Sequence, residues 1–277
     1  MDSASVFTLC ALDAIEWLRS MPSGSADLLI TDPPYESLEK HRAIGTTTRL
    51  KHSLASSNDW FQIFPNSRFA ELFAEIYRVL RKNSHFYLFC DAETMFVAKP
   101  IAEASGFKFW KPLVWDKKMI GMGYHYRARY EFILFFEKGK RKLSNLGQPD
   151  IIEAPRIYKG YPTEKPVAVS EVLVQQSSSM GEIVLDPFMG SGSVGEAAIR
   201  NGRNFLGNDK QLATIEAVRR RLLAAGAVES FTGQPAPEQH QASPEGQLGF
   251  AIDTEVIGFS NSAKKRVDRR NGLPSRR

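Results

Sequence analysis

Asp32, Pro33, Pro34 and Tyr35 form the part of this 277-residue chain whose residue types and spacing most directly indicate chemistry. They follow Ala26–Thr31, an apolar run that predicts a buried strand, and ligands bind at the carboxyl ends of strands in open α/β sheets. An amino group on a heteroaromatic ring is a poor nucleophile, because its lone pair is delocalised unless acceptors hold both of its hydrogens. The Asp32 carboxylate and the main-chain carbonyl of Pro33 can be those acceptors, since two successive prolines restrict the backbone. With Tyr35 as a stacking face, the segment predicts a site that orients the exocyclic amine of a nucleic-acid base.

A second chemical signal is the glycine-rich run at residues 190–195 (GSGSVG), which follows the strand-like residues 183–186 (IVLD) and matches the pattern GxGxxG. Glycines let a backbone approach a ligand closely, and the N-terminus of the following helix offers free N–H groups. Asp209 lies at about the 20-residue spacing expected of an acid that accepts hydrogen bonds from ribose hydroxyls. Alone, this run would favour a nicotinamide dehydrogenase.

The elements that must position these residues follow one another in a strand–helix alternation that predicts an α/β sheet. The predicted strands cover residues 5–10, 26–31, 85–90, 107–115, 131–137, 182–185 and 204–207. The predicted helices cover residues 13–21, 68–82, 95–104, 166–176, 193–201 and 212–225. A single helix follows Asp209 before the sequence becomes low in complexity, so the other strands of a nucleotide-binding sheet must come from the first half of the chain. The order of the motifs is therefore circularly permuted.

The two motifs in this order resemble the β-type, permuted DNA amino-methyltransferases, in which DPPY precedes DPFxGSG. The resemblance covers about residues 5–226 and includes residues 186–192 (DPFMGSG). Residues 161–166 (YPTEKP) are similar to the family's HPTxKP element, with Tyr161 where a histidine is usual. The fold that this resemblance implies is a Rossmann-like, doubly wound, mostly parallel seven-stranded sheet with one reversed strand.

The resemblance also implies an activity: direct methyl transfer from S-adenosylmethionine to N6 of adenine in double-stranded DNA, after the base is flipped out of the helix. An Asp at the first position of the motif favours adenine in this family. The catalytic residues would be Asp32, Pro33, Pro34 and Tyr35. The cofactor-binding residues would be Asp13, Thr31, Asp32, Thr163, Lys165, Pro166, Asp186, Pro187, Phe188, Gly190, Ser191, Gly192, Asp209 and Lys210.

Three of these residues have simpler interpretations. Asp13 can be an ordinary helix N-cap, Lys165 a solvated cation and Phe188 a plain core residue. Asp209 is harder to explain away, since it directly follows a buried strand and precedes a helix.

Candidate DNA contacts lie in two segments. Residues 36–65 interrupt the α/β pattern, are basic near their start and middle, and are expected to form a mobile loop that orders over DNA. Residues 117–129 interleave basic and aromatic side chains, which suits phosphates and unpaired bases, although a solvated surface is the alternative. The predicted DNA-binding residues are Lys40, Arg42, Arg49, Lys51, Lys117, Lys118, Tyr124, Arg127 and Arg129. Residues 139–161 occupy the family's target-recognition position but form a short, irregular segment.

Composition adds weaker expectations. A formal charge of +5 and a sequence pI near 9.1 lean towards a polyanionic partner. Two cysteines and five scattered histidines predict reduced thiols and no metal, and the apolar runs are too short for a membrane span. We expect a catalytic domain at residues 1–227, a disordered, low-complexity basic tail at 228–277, a cytoplasmic location and, as in β-type relatives, pairing into a homodimer.

Other functions remain open at this point. N4 methylation of cytosine would use the same machinery, and a protein amide methyltransferase would use a similar loop, although the permuted order and basic tail disfavour it. A DNA-binding module without activity is disfavoured by the intact Asp32 and residues 190–192. A nicotinamide dehydrogenase would differ by binding NAD rather than S-adenosylmethionine.

Overall fold

A computed structural model describes residues 4–36, 63–121, 126–158, 161 and 163–230. These residues form a nine-stranded sheet in the order β6-β4-β5-β3-β2-β7-β8-β1-β9. The strands are β1 (Val6–Cys10), β2 (Ala26–Thr31), β3 (Leu80–Cys90), β4 (Lys108–Asp116), β5 (Tyr130–Lys138), β6 (Ile151–Glu153), β7 (Ile183–Asp186), β8 (Asn204–Asn208) and β9 (Val228–Glu229). Every neighbouring pair is parallel except the two that include β5, which is therefore the single reversed strand.

Helices cover both faces of the sheet, as predicted for a doubly wound fold. The six α-helices among the described residues are α1 (Ala14–Ser20), α2 (Phe69–Val79), α3 (Ala92–Ala104), α4 (Val167–Ser177), α5 (Ser193–Arg200) and α6 (Leu212–Ala224). Helices α1–α3 pack in one apolar core with Leu29 of β2, and α4–α6 pack in the other with Leu28 and Ile30. Side chains alternate between these cores because successive strand residues point to opposite faces.

The predicted fold class is confirmed, but several element bounds are corrected. The helix predicted at 68–82 ends at Val79, and β3 begins at Leu80 rather than at residue 85. Lys138 explains this early end, since its Nζ donates to the carbonyls of Tyr77 and Leu80 at 2.5 and 2.6 Å. Asn83, with φ 65°, adds a left-handed residue inside β3 that a periodicity argument does not anticipate.

Two short edge strands account for the difference between seven predicted and nine observed strands. β6 lies inside the segment 139–161 that the sequence predicts to be irregular, and its three residues pair with Val114–Asp116 of β4. β9, at residues 228–229, belongs to the sequence expected in the tail and pairs with Val6 and Phe7 of β1. Strands of two or three residues carry too little alternation to be recognised from sequence.

The described part of the chain contains no helix with the length and apolar character needed to cross a bilayer.

Two of the helices begin at an acidic side chain that caps the helix N-terminus. The carboxylates of Asp13 and Asp91 accept the N–H groups of Ile15 and Thr94 at 3.1 and 2.8 Å, so each acid caps the helix that follows a strand.

A buried polar cluster crosses from β3 to α4. Nδ1 of His85 and the hydroxyl of Tyr87 each lie 2.7 Å from Oγ of Ser177, and Nε2 of His85 lies 3.1 Å from the carbonyl oxygen of Arg141. Burial lowers the pKa of His85 to about 4, below its ordinary 6.5. The imidazole is therefore neutral in the folded protein at pH 7.

This shift makes stability depend on pH. Between about pH 6.5 and pH 4 the unfolded chain binds a proton at His85 that the folded chain does not, so acidification favours unfolding. On going from pH 7 to pH 5, we expect the wild-type protein to lose about 2 kcal/mol more unfolding free energy than a His85→Gln variant. Urea titrations at both pH values measure this difference. Contributions shared by the two proteins cancel, and equal losses would contradict the assignment.

Candidate active site

The site is built on two adjacent parallel strands, β2 and β7, whose carboxyl ends carry the two predicted motifs. Leu28 and Leu29 pair with Val184 and Leu185. One step further along, the hydroxyl of Thr31 donates to Oδ1 of Asp186 at 2.7 Å in the protein interior. Segments that are far apart in the sequence thus end side by side at one edge of the sheet.

The loop after β2 is held by the chain segment that precedes α2. The N–H of Phe64 donates to the carbonyl of Pro34 at 2.7 Å, and a parallel bridge links Tyr35 to Phe64. Phe64 then contacts Phe188 edge-on, with ring centroids 5.1 Å apart. Tyr35 is buried at 8% exposure, and its ring lines the cleft from the loop side.

Asp32 belongs to a network of charges at the cleft wall. Its Oδ2 lies 2.5 Å from Nζ of Lys165, which is itself 3.2 Å from Oε2 of Glu131. Oε1 of Glu131 lies 2.5 Å from Nζ of Lys117. Burial raises the pKa of Asp32, partly offset by Lys165. Burial would also raise that of Glu131, but the nearby ammonium groups of Lys165 and Lys117 outweigh it and lower the Glu131 pKa to about 2.

The glycine-rich turn is fixed by its close neighbours. Gly190 has φ 45°, and a Cβ there would lie 3.4 Å from the ring of Tyr161. The Asp209 carboxylate accepts the N–H of Gln211 at 2.9 Å and hydrogen-bonds the backbone of Gly190. Burial raises the pKa of Asp209, and these two hydrogen bonds offset the rise only in part. Tyr161 thus packs on the turn.

Asp13 is occupied by protein partners on the opposite wall. Besides capping α1, its carboxylate forms a bidentate pair with Arg68, with both N···O distances 3.0 Å, and lies 3.0 Å from Nζ of Lys210. Hydrogen bonding from Arg68 lowers the pKa of Asp13 well below its usual range. The helix-cap interpretation of Asp13 is confirmed, while the residue also faces the cleft.

A single cleft of about 870 Å³ collects these groups. This volume falls within the roughly 300–1,000 Å³ typical of small-molecule sites. Its walls include the predicted residues Asp13, Thr31, Asp32, Pro33, Pro34, Tyr35, Thr163, Lys165, Asp186, Pro187, Phe188, Gly190, Ser191, Asp209 and Lys210. Tyr35 and Gly190 therefore share one cavity, as the permuted arrangement requires.

Two predicted cofactor residues stand behind the wall instead. Pro166 is the N-cap of α4, one residue before the helix begins. Gly192 is the N-cap of α5 with φ 77°, and a Cβ on it would lie 2.7 Å from Cγ1 of Val218. The structure gives both residues a role in shaping the backbone.

The predicted DNA contacts are only partly within the described residues: Lys40, Arg42, Arg49, Lys51 and Tyr124 lie outside them. Lys117 points into the charge network with Glu131. Lys118 pairs with Glu153, and Arg129 binds Asp116 through two bonds of 2.6 and 2.7 Å.

Arg127 donates to the carbonyl of Gly121 at 2.7 Å. Among the described cations of this segment, only Lys117 is drawn away from the surface, with its side chain 18% exposed.

The residues of the cleft wall that sequence reasoning missed include Phe64, Arg68, Glu131 and Asn208. The Asn208 side chain bonds Leu12 N–H and O at 3.0 and 3.1 Å, so it ties the loop after β1 to β8. Glu131 had one available signal, since acids flank the apolar residues 132–136 of this predicted strand. Among the described residues, no group of histidine, cysteine and acidic side chains could hold a metal ion.

A permuted α/β sheet with a carboxylate–Pro–Pro–Tyr loop facing a glycine-rich turn is the arrangement of a Rossmann-like methyltransferase. The chain belongs to the DNA methylase family of N6 and N4 methyltransferases, whose family model matches residues 26–220.

Curated relatives agree with this assignment. Type II methyltransferase M.HpaI of Haemophilus parainfluenzae is 28% identical over 245 residues, which cover 77% of this chain and 73% of the relative. DNA adenine methyltransferase YhdJ of Escherichia coli (strain K12) is 28% identical over 252 residues, covering 76% and 80%. In fold, the chain is similar to TTHA0409 of Thermus thermophilus complexed with S-adenosyl-L-methionine, with a TM-score of 0.59, 20% identity and coverage of 84% and 100%.

Gly192 provides a test of the turn that shapes the site. In Gly192→Ala the new methyl group would meet Val218 as well as adopt a left-handed backbone, whereas Gly181, with φ 79°, has nothing within 4 Å of the added Cβ. We expect Gly192→Ala to cost about 1–3 kcal/mol more unfolding free energy than Gly181→Ala, because overpacking adds to the shared backbone strain. Chemical denaturation of both variants measures this, and equal losses would show that the contact with Val218 is relieved at no cost.

Proposed function

We propose that this protein transfers a methyl group from S-adenosylmethionine to N6 of adenine in double-stranded DNA. The single observation that carries the proposal is the shared cleft, in which Asp32 and Tyr35 face the turn at Gly190. A loop that can hold an amine and a turn that can bind a nucleoside share one cavity. This arrangement suits methyl transfer from a bound donor to a bound acceptor. The membership of the chain in the DNA methylase family supports the same chemistry.

The cleft fits S-adenosylmethionine in the nature of its donor and acceptor groups. Asp209 supplies a carboxylate for a ribose diol, and the glycines of the turn keep side chains away from a bound nucleoside. Phe188 and Leu12 add apolar surface for a purine ring. When bound, this cofactor supplies a methyl group activated by the positive sulfur that carries it.

On the other side of the cleft, the protein orients the amine. Lys165 bonds Oδ2 of Asp32, which leaves Oδ1 to accept a hydrogen from the exocyclic amine. The Pro33 carbonyl is the proposed second acceptor, while the Pro34 carbonyl is engaged by Phe64. Positioning and electrostatic stabilisation account for the rate, so no covalent enzyme intermediate is required.

Adenine is favoured over cytosine by Asp32, since the resemblance associates an acid at this position with N6 methylation. The relative named DNA adenine methyltransferase YhdJ supports this choice. N4 methylation of cytosine would place its amine against the same two acceptors. Flipping of the target base out of the double helix is part of the proposal, because a stacked base cannot reach a cleft of this kind.

The DNA-facing surface is proposed to include the segment that connects β4 with β5. Tyr126 and Met119 are exposed at 107% and 60%, beside cations of the same segment. The basic residues between positions 36 and 65 that are predicted to contact DNA lie outside the described residues, and their contacts stay a prediction. A basic tail would add salt-sensitive, sequence-independent affinity. A cytoplasmic location and pairing of two copies stay predictions.

Incubation with labelled S-adenosylmethionine and mixed genomic DNA, followed by nucleoside analysis, tests the function. We expect labelled N6-methyladenine. Labelled N4-methylcytosine would select the alternative base, and labelled protein without labelled DNA would overturn both. Isothermal titration with NAD and with S-adenosylmethionine separates a dehydrogenase from a methyltransferase.

Asp32→Ala tests the amine-orienting role. Loss of one preorganised acceptor is expected to slow single-turnover methyl transfer roughly a hundred- to thousandfold, with cofactor and DNA affinities changed little. Asp91→Ala is the matched control, because Asp91 also follows a strand and caps a helix but does not line the cleft. That variant should lose about 1 kcal/mol of stability and keep its transfer rate. Equal rates in the two variants would remove Asp32 from the mechanism.

A further inference from the structure

Four side chains of alternating charge form a row that starts at the proposed amine-orienting loop: Asp32, Lys165, Glu131 and Lys117. The first three line the cleft. Successive N···O distances are 2.5, 3.2 and 2.5 Å. The side chains are between 10% and 29% exposed, and Lys165 is the most buried. They come from four different parts of the fold, so tertiary structure rather than local sequence creates the row.

The position of Lys165 decides what the row does. Its ammonium group is shared between two carboxylates, and a buried charge that loses a partner is costly. With Asp32 as its sole partner, Lys165 would direct its whole positive charge at that carboxylate and weaken Oδ1 as an acceptor. With Glu131 as a second partner, part of the positive charge is balanced elsewhere, so Asp32 can still accept.

We propose that Glu131 is a positioning residue for methyl transfer, which holds Lys165 so that Lys165 orients Asp32 without neutralising it. This inference rests on the proposed function and extends it to a residue of the reversed strand β5. Lys117 anchors Glu131 from the outer side at 2.5 Å. Glu131 acts through Lys165, since the shortest described link from its carboxylate to Asp32 is that ammonium group.

The charged and titratable groups that face Asp32 are Lys165, Glu131, Lys117, Tyr35, Cys90 and Asp186. Burial raises the pKa of Tyr35 and of Cys90, so both stay neutral near pH 7. Glu131 raises the pKa of Asp32 through its negative charge, while Lys117 lowers it. Substitutions at these two positions should therefore shift the titration of Asp32 in opposite directions.

Single-turnover transfer is measured against pH for wild type, Glu131→Gln and Lys117→Met. We expect Glu131→Gln to slow transfer by roughly ten- to hundredfold, as for a slightly misplaced catalytic group, with cofactor and DNA dissociation constants within about twofold. The acid limb of its pH–rate profile should move to lower pH, because the negative charge of Glu131, which raises the pKa of Asp32, is lost. The acid limb of Lys117→Met should move to higher pH.

Glu137→Gln is the matched control. Glu137 is a buried acid of the same strand, bound to Trp110 Nε1 at 3.1 Å and to Arg141 N–H at 2.8 Å, away from the cleft. It should alter thermal stability without moving the acid limb. Glu131→Asp, which keeps the charge, should recover part of the rate.

A readout that does not need turnover keeps the inference separate from the proposed function. The carboxyl carbon of Asp32, labelled with ¹³C and assigned through Asp32→Ala, should titrate at lower pH in Glu131→Gln and at higher pH in Lys117→Met. If wild type transfers no methyl group, the function fails while this titration still tests the positioning role. The positioning role is overturned if the Asp32 titration is unshifted in Glu131→Gln, or if that variant transfers methyl groups at a rate within twofold of wild type. If Glu131→Gln does not fold, an unshifted Asp32 titration in Lys117→Met overturns it.

Discussion

The hydrogen bond from Thr31 to Asp186 marks the constraint on which the site depends: β2 and β7 must pair in one register. Residues 155 positions apart in sequence meet there in the protein interior. A slip of one residue would turn the apolar side chains of β2 to the wrong cores and carry the Asp32 loop away from the turn at Gly190. Permutation of the chain is tolerated because this pairing needs only the two strands in place, whichever comes first.

The ionisation of the acidic side chains in the cleft depends on their charged and hydrogen-bonding neighbours as much as on their burial. Burial raises the pKa of Asp186 to about 7, and its bond from Thr31 offsets this only in part. Glu131 is also buried, yet its two lysine neighbours lower its pKa to about 2. The same wall thus holds a carboxyl that titrates near neutrality and a carboxylate that stays ionised. Glu131 stays ionised inside the protein because it lies between the ammonium groups of Lys165 and Lys117.

Sequence predicted what depends on period and local motif. The helical spacing of apolar residues predicted α2, apolar runs predicted the longer strands, and the motifs predicted part of the cleft wall, including Asp32, Lys165 and Asp209. It did not give the early start of β3, because Lys138 ends α2 from a distant strand. Nor did it predict the role of Glu131, whose partner Lys117 becomes a neighbour when β4 and β5 pair and whose partner Lys165 comes from the distant segment before α4. Contacts between distant elements have no signature in the local sequence, so the three-dimensional structure is needed to identify such residues.

Arg68 shows how the two halves of the cleft are linked. The chain that leaves after Glu36 returns beside it: Asn66 N–H donates to Oε1 of Glu36 at 2.8 Å, two residues after Phe64 bonds Pro34. Arg68 then lies over the Phe64 ring, 5.3 Å from its centroid, and reaches the opposite wall of the cleft through Asp13. One short segment therefore contacts both the loop after β2 and the opposite wall. A displacement of this segment would therefore alter both walls of the cleft together.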